Sequence, residues 1–101
     1  MLQHNVYFYL KSGLSEAQRS AFLDSLKTLL TIDDMVEGFV GKPGKTAPRP
    51  VVDDTYDFAL STVFKDVAQH DVYQDHPVHQ KFVESCKQYW DAVKVFDVEI
   101  V

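Results

Sequence analysis

Residues 4–11, HNVYFYLK, decide the fold. The run is rich in Val, Phe and Tyr, the residue types that suit a pleated strand. Side chains alternate across a strand, so His4, Val6, Phe8 and Leu10 point one way and Asn5, Tyr7, Tyr9 and Lys11 the other. The first set is apolar apart from His4 and needs a cover. The next segment supplies one. After the break SGLS, Ser15 and Gln18 form a capping-box pattern, and SEAQRSAFLDSLKTLL follows. Phe22, Leu26, Leu29 and Leu30 recur in it at helical spacing, with Leu23 at the margin.

The rest of the chain repeats that alternation of element types. MVEGFVGK (Met35–Lys42) reads as a second strand, and Gly38 inside it marks a bulge or a close backbone approach. KPGKTAPRPVVDD follows, a loop with three prolines that carries Lys42, Lys45 and Arg49. It reads as a solvated connector, since it lacks the form of an ordered phosphate-binding turn. YDFALSTVF (Tyr56–Phe64) is a third strand. Asp66 with Gln69 caps a short helix, VAQHDVYQ. Pro77 restarts the chain as PVHQKFVESCKQYWDAV, a longer helix expected to reach about Val93, and KVFDVEIV closes it as a fourth strand. The order strand–helix–strand–strand–helix–strand predicts an α+β, ferredoxin-like protomer: one four-stranded antiparallel sheet with the helices on one face. Residues 1–101 form one domain.

Composition narrows the function classes. The chain is 46% hydrophobic and 25% charged with a net charge of −5, ordinary for a globular domain and unfavourable for a phosphate backbone. No nucleic-acid partner is expected. Apolar runs are too short to span a bilayer, and MLQHNVYFYL lacks the flanks of a signal peptide, so no membrane association is expected. Cys86 is the single cysteine, which points to a reducing, cytoplasmic setting. Seven Phe, five Tyr and one Trp exceed what so small a core requires, pointing to a lined pocket or an aromatic interface. The second face of the first strand carries two tyrosines, and the last strand sends Phe96, Val98 and Ile100 opposite to Val95 and Val101. Such a face suits a second copy of the chain. A homodimer is expected.

The densest chemistry lies in VYQDHPVHQKF (Val72–Phe82). Counting from His79, Val83, Cys86, Trp90 and Val93 continue an apolar stripe that Phe82 and Tyr89 flank. His79 thus heads a buried face, where an imidazole needs a partner. Tyr73, His76 and His4 are the candidates. Their convergence predicts a small-molecule pocket between helices and sheet. Its floor is His4, Val6 and Phe8; its walls are Phe22, Leu26, Leu60, Phe82 and Trp90. Two plainer readings stand beside it: His76 as a helix-cap residue, and His79 as a structural histidine. His76 and His79 lack the spacing of paired helical zinc ligands, and beyond Asp75 no third ligand is evident. Neither metal nor cofactor is expected. His70, without a companion, is expected in solvent.

Over nearly its whole length the chain resembles the stress-responsive dimeric α/β-barrel (Dabb) domain family. HNVYFYLK, YDFAL, VYQDHPVHQKF and the closing WDAVKVFD carry the resemblance. It implies a protomer whose dimer closes two sheets into a barrel. Some members of that family are stress-associated proteins without an established reaction. Others are enzymes, such as a plant polyketide cyclase whose catalytic tyrosine and histidine match Tyr73 and His79. The resemblance also places His4 and Trp90 at pocket positions. Phe58 stands where the cyclase has another histidine, and Leu23 and Leu26 stand where it has aromatics, so its polyketide substrate does not carry over. A neutral His79 in such a pair takes a proton from carbon beside a carbonyl, and Tyr73 donates a hydrogen bond to the oxygen. The enzymatic expectation is therefore a cofactor-independent cyclase or isomerase of lyase type, acting on a small carbonyl compound. The alternative is a non-catalytic stress-associated dimer with a structural histidine cluster.

Overall fold

Strict alternation in the first strand does what the sequence demands of it. In the computed structural model, which describes residues 1–101, β1 (Leu2–Leu10) buries every second residue from Leu2 to Leu10. β1 is central, and the sheet order is β2-β3-β1-β4, all neighbours antiparallel. α1 (Glu16–Thr28) opens on the expected reciprocal cap: Gln18 N–H donates to Ser15 Oγ at 3.1 Å, and Ser15 N–H to Gln18 Oε1 at 2.8 Å. β2 (Glu37–Gly41) and β3 (Phe58–Phe64) then pair in regular register. α2 (Val67–Asp75) starts on Asp66, which accepts from Gln69 N–H at 2.9 Å. α3 (Pro77–Cys86) and β4 (Trp90–Glu99) complete the chain. All three helices cover one face, where Phe22, Leu26, Ile32 and Phe64 form the sealed centre of the core.

The last helix is shorter than its periodicity suggests. α3 stops at Cys86, a single 3₁₀ turn covers Lys87–Tyr89, and the expected helical residues Trp90 and Val93 lie in β4. Pairing with β1 overrides the local pattern. Trp90 lies opposite Leu10 and Val93 opposite Phe8, and Lys11 N–H donates to the Tyr89 carbonyl at 2.9 Å. A register shift at Tyr9/Leu10 marks an irregularity near Asp91, whereas Gly38 sits in unbroken register. Gly38 is a close approach instead. A Cβ there would meet Met35 Sδ at 2.8 Å and the Leu30 and Thr62 methyls at 3.2 Å.

Asp57 ties the sheet to α1: its carboxylate accepts from Leu10 N–H at 2.8 Å and from Arg19 Nη2 at 3.1 Å. On the face without helices, Tyr7 packs edge-on against Tyr56 and Phe96, and Lys94 lies over Tyr9. Phe39 and Phe96 are each 58% exposed there. No helix is long and apolar enough to cross a membrane.

Candidate functional site

The break between α2 and α3 sets the site. His76 ends one helix and begins the next in an extended conformation, and its Nδ1 accepts from Val78 N–H at 3.1 Å. That ring caps α3 and is absent from the cavity wall, which corrects its placement as a ligand-binding residue. The physical reason is that a new helix leaves its first N–H groups unpaired, and His76 is the residue in reach. With Pro77 in the first helical position, His79 falls two residues later, turned toward the sheet.

Between helices and sheet lies a cavity of about 160 Å³, open on one side. His4, Val6, Phe8, Leu60, Tyr73, His79, Phe82 and Trp90 line it, as the sequence leads one to expect. Phe22 and Leu26 do not; both are wholly sealed in the core, Phe22 stacked against Phe58. Leu29, Gln74, Val83, Val93 and Val95 complete the wall. Trp90 and Val93 reach it from a strand rather than from a helix.

Two polar groups face one another in this apolar space. The Tyr73 and His79 rings lie edge to face with centroids 4.9 Å apart. Burial alone pushes the Tyr73 phenol well above its ordinary 10.0, with no hydrogen bond or charge contributing. Burial also lowers His79 below its ordinary 6.5, and the neighbouring His4 and His70 act in the same direction. At neutral pH the pair is thus an uncharged imidazole acceptor beside a protonated phenol donor.

His4 is held differently. Its Nδ1 lies 2.5 Å from Asp97 Oδ1, on the directly opposed residue of β4. Burial still dominates and lowers its pKa, against the raising effect of Asp97. His70 is not in solvent. Its side chain is only 14% exposed, and its ring packs 4.5 Å from His4 and 5.4 Å from Phe64. The sequence reading missed His70, Gln74 and Asp97. Two signals could have found His70 and Asp97: His70 lies three residues before Tyr73 on one helix, and Asp97 shares the inward face of Val95.

Residues 2–100 match the sequence pattern of the Stress responsive A/B Barrel Domain. The chain belongs to that family. Among solved structures, this A/B barrel chain is similar to a Dabb family protein of ferredoxin-like fold from Mesorhizobium loti. That likeness has 25% identity and a TM-score of 0.78, covering 99% of this chain and 96% of that one. It is also similar to a dimeric ferredoxin-like protein of unknown function from Thermobifida fusca (17% identity, TM-score 0.78, 98% and 90% covered). A third is a hydroxynitrile lyase from Passiflora edulis (20% identity, TM-score 0.78, 99% and 93% covered). Comparison with curated proteins finds no match. At 17–25% identity these likenesses establish the ferredoxin-like fold and no chemistry.

Proposed function

We propose that this A/B barrel protein is a homodimer that binds a small carbonyl compound in the cavity and acts on it by acid–base chemistry through His79 and Tyr73. One observation carries the reading. An imidazole and a phenol line a common apolar cavity with ring centroids 4.9 Å apart, and no hydrogen bond joins them to each other. Buried polar groups that serve only packing are normally hydrogen-bonded. His79 accepts a proton from carbon beside the carbonyl as the C–H bond breaks. The electron pair moves onto the carbonyl oxygen, where the Tyr73 hydroxyl donates a hydrogen bond. His79 then returns the proton to another position, which describes an enolisation, an isomerisation or an aldol-type closure. No cofactor is needed for that sequence.

Volume narrows the ligand. About 160 Å³ is close to the ~150 Å³ of an apolar cavity that holds benzene. A compound of roughly six to eight non-hydrogen atoms fits, and an extended polyketide chain does not. The dimer reading rests on the exposed aromatic face of the sheet and on the dimeric relative of the same fold. The sealed Cys86 thiol fits a reducing, cytoplasmic setting. The Passiflora lyase fits a scaffold able to host enzymes without assigning this one's substrate.

His76 favours the plainer reading in part, because one imidazole of the motif serves only a helix start. A non-catalytic dimer requires the same of His79. The test is deuterium exchange beside the carbonyl of cyclohexanone, followed by NMR in D₂O. The wild type accelerates exchange, and His79→Ala slows it by about 10²- to 10⁴-fold while sedimentation still shows a dimer. No acceleration by the wild type across a panel of small ketones and aldehydes rejects the enzymatic reading.

A further inference from the structure

A second polar cluster sits beside the cavity and is not used by the His79–Tyr73 pair. It consists of His4 on β1, His70 on α2 and Asp97 on β4. We propose that these three side chains form a binding site for a divalent transition-metal ion of the zinc type. One ligand atom from each lies within 4.8 Å of the other two. Zinc bonds of about 2.0–2.2 Å in tetrahedral geometry need roughly 3.3 Å between ligand atoms. Binding an ion requires the three side chains to rotate to that spacing and the 2.5 Å contact between His4 Nδ1 and Asp97 Oδ1 to open.

His70 supplies the independent observation. Its Nε2 is sealed from solvent and has no hydrogen-bond partner. A buried ring nitrogen in that state requires an explanation. The other nitrogen, Nδ1, lies 3.2 Å from Asp71 Oδ1. A carboxylate only accepts, so Nδ1 carries the hydrogen and donates it. In the neutral ring this leaves Nε2 as a bare lone pair, the form that ligates metal. A carboxylate behind the imidazole is the usual outer partner of a metal-binding histidine.

The donor set and its exposure fit the same occupant. Two imidazoles and one carboxylate suit zinc, cobalt or ferrous iron better than calcium or magnesium, which prefer all-oxygen sites. The histidine side chains are 7% and 14% exposed, while Asp97 is 46% exposed. The site therefore opens to water on the carboxylate side, giving the ion an entrance and a position for a water ligand. A net charge of −5 favours the approach of a cation. The expectation of no metal in the sequence reading weighs only His76 and His79 as ligands. The fold instead joins residues from three separate elements.

The test uses the full chain, stripped with chelator, and the metal alone as probe. Cobalt(II) is followed by its visible absorption and then displaced with zinc, with calorimetry for stoichiometry. One ion per chain is expected, with the intense visible bands of a four- or five-coordinate ion. His70→Gln weakens zinc binding by at least 100-fold, and Asp71→Asn by about 10-fold or more. His76→Asn, which keeps a capping side chain, leaves it unchanged. Circular dichroism checks that each variant is folded. Should His70→Gln fail to fold, zinc-induced shifts of the His4 and His70 ring nitrogens in the wild type decide the matter. The proposal is overturned if cobalt keeps the weak spectrum of its aqua ion, if affinity is equal in wild type and a folded His70→Gln, or if those ring nitrogens do not move.

Discussion

Replacing Tyr73 with Phe separates a functional phenol from a structural one. The Tyr73 ring is fully buried among Phe64, His4 and His79, and Phe preserves all of that packing. Only the hydroxyl leaves. If the hydroxyl knitted helix to sheet, its loss would cost about 0.5–1.5 kcal/mol, the usual net worth of an intramolecular hydrogen bond. Instead no hydrogen bond engages it, and burial alone governs its pKa. Removing it relieves a desolvation penalty wherever cavity water does not compensate. Tyr73→Phe is therefore expected to keep the protein's stability or raise it by up to about 1 kcal/mol. For a domain of this size, that upper value raises Tm by roughly 4–8 °C. Urea unfolding at fixed protein concentration measures the change, with an unaltered slope confirming an unaltered native surface. In the same variant, ketone exchange should fall about 10²- to 10³-fold, since one donor to the developing oxyanion is lost. Stability and activity thus move in opposite directions. A loss of 1 kcal/mol or more at constant slope refutes the reasoning, because it shows that the phenol holds the fold.

Three further outcomes follow from the same coordinates. His4 and His79 both have pKa values below the ordinary 6.5, so below that pH the unfolded chain takes up protons that the native chain refuses. Stability is then flat above about pH 6.5 and falls as pH drops through the lowered native values, a slope that His79→Gln reduces. Constant stability from about pH 7 to about pH 5.5 in urea titrations contradicts this. Gly38→Ala forces a methyl to within 2.8 Å of Met35 Sδ and 3.2 Å of the sealed Thr62 side chain; a loss of about 1–2 kcal/mol is expected, and an unchanged unfolding midpoint counts against the close approach. Phe96→Asp puts a charge on the exposed aromatic face of the sheet, so sedimentation should show a dimer for the wild type and a monomer for the variant. A wild type that is monomeric at micromolar concentration removes the barrel.

What was legible in the sequence is what local rules govern. Alternation in HNVYFYLK gave the correct inward face, and the Ser15–Gln18 and Asp66–Gln69 signals placed two helix starts. The end of α3 was not legible, because Tyr89, Trp90 and Val93 satisfy a helical repeat as well as a strand. The deciding interaction is the ladder between β4 and a strand some eighty residues earlier, and nothing in the local spacing encodes it. The site shows the same division. Eight of the expected cavity residues line it, since they follow from alternation on β1 and from the phase of α2 and α3. The buried position of His70 is not legible locally, because its companions, His4 and Phe64, come from other elements. Phe22 and Leu26 resemble wall residues in the sequence because an inward helical face looks the same whether it meets a cavity or a filled core.

The spacing within VYQDHPVHQKF turns out to be one mechanical requirement. Tyr73 sits in the last turn of α2 and His79 in the first turn of α3, so their approach depends on the phase between two helices rather than on either one. His76 and Pro77 fix that phase: the first by capping α3 with its own ring, the second by taking the position where its missing N–H costs nothing. Each residue of a helix advances the side chain by about 100°. Adding or removing a single residue between Pro77 and His79 would therefore turn the imidazole away from the phenol. The cap and the proline belong to the site in this sense, although neither touches the cavity. The residue that looks most like a ligand in the sequence, His76, serves the site by shaping the backbone that aims its neighbour.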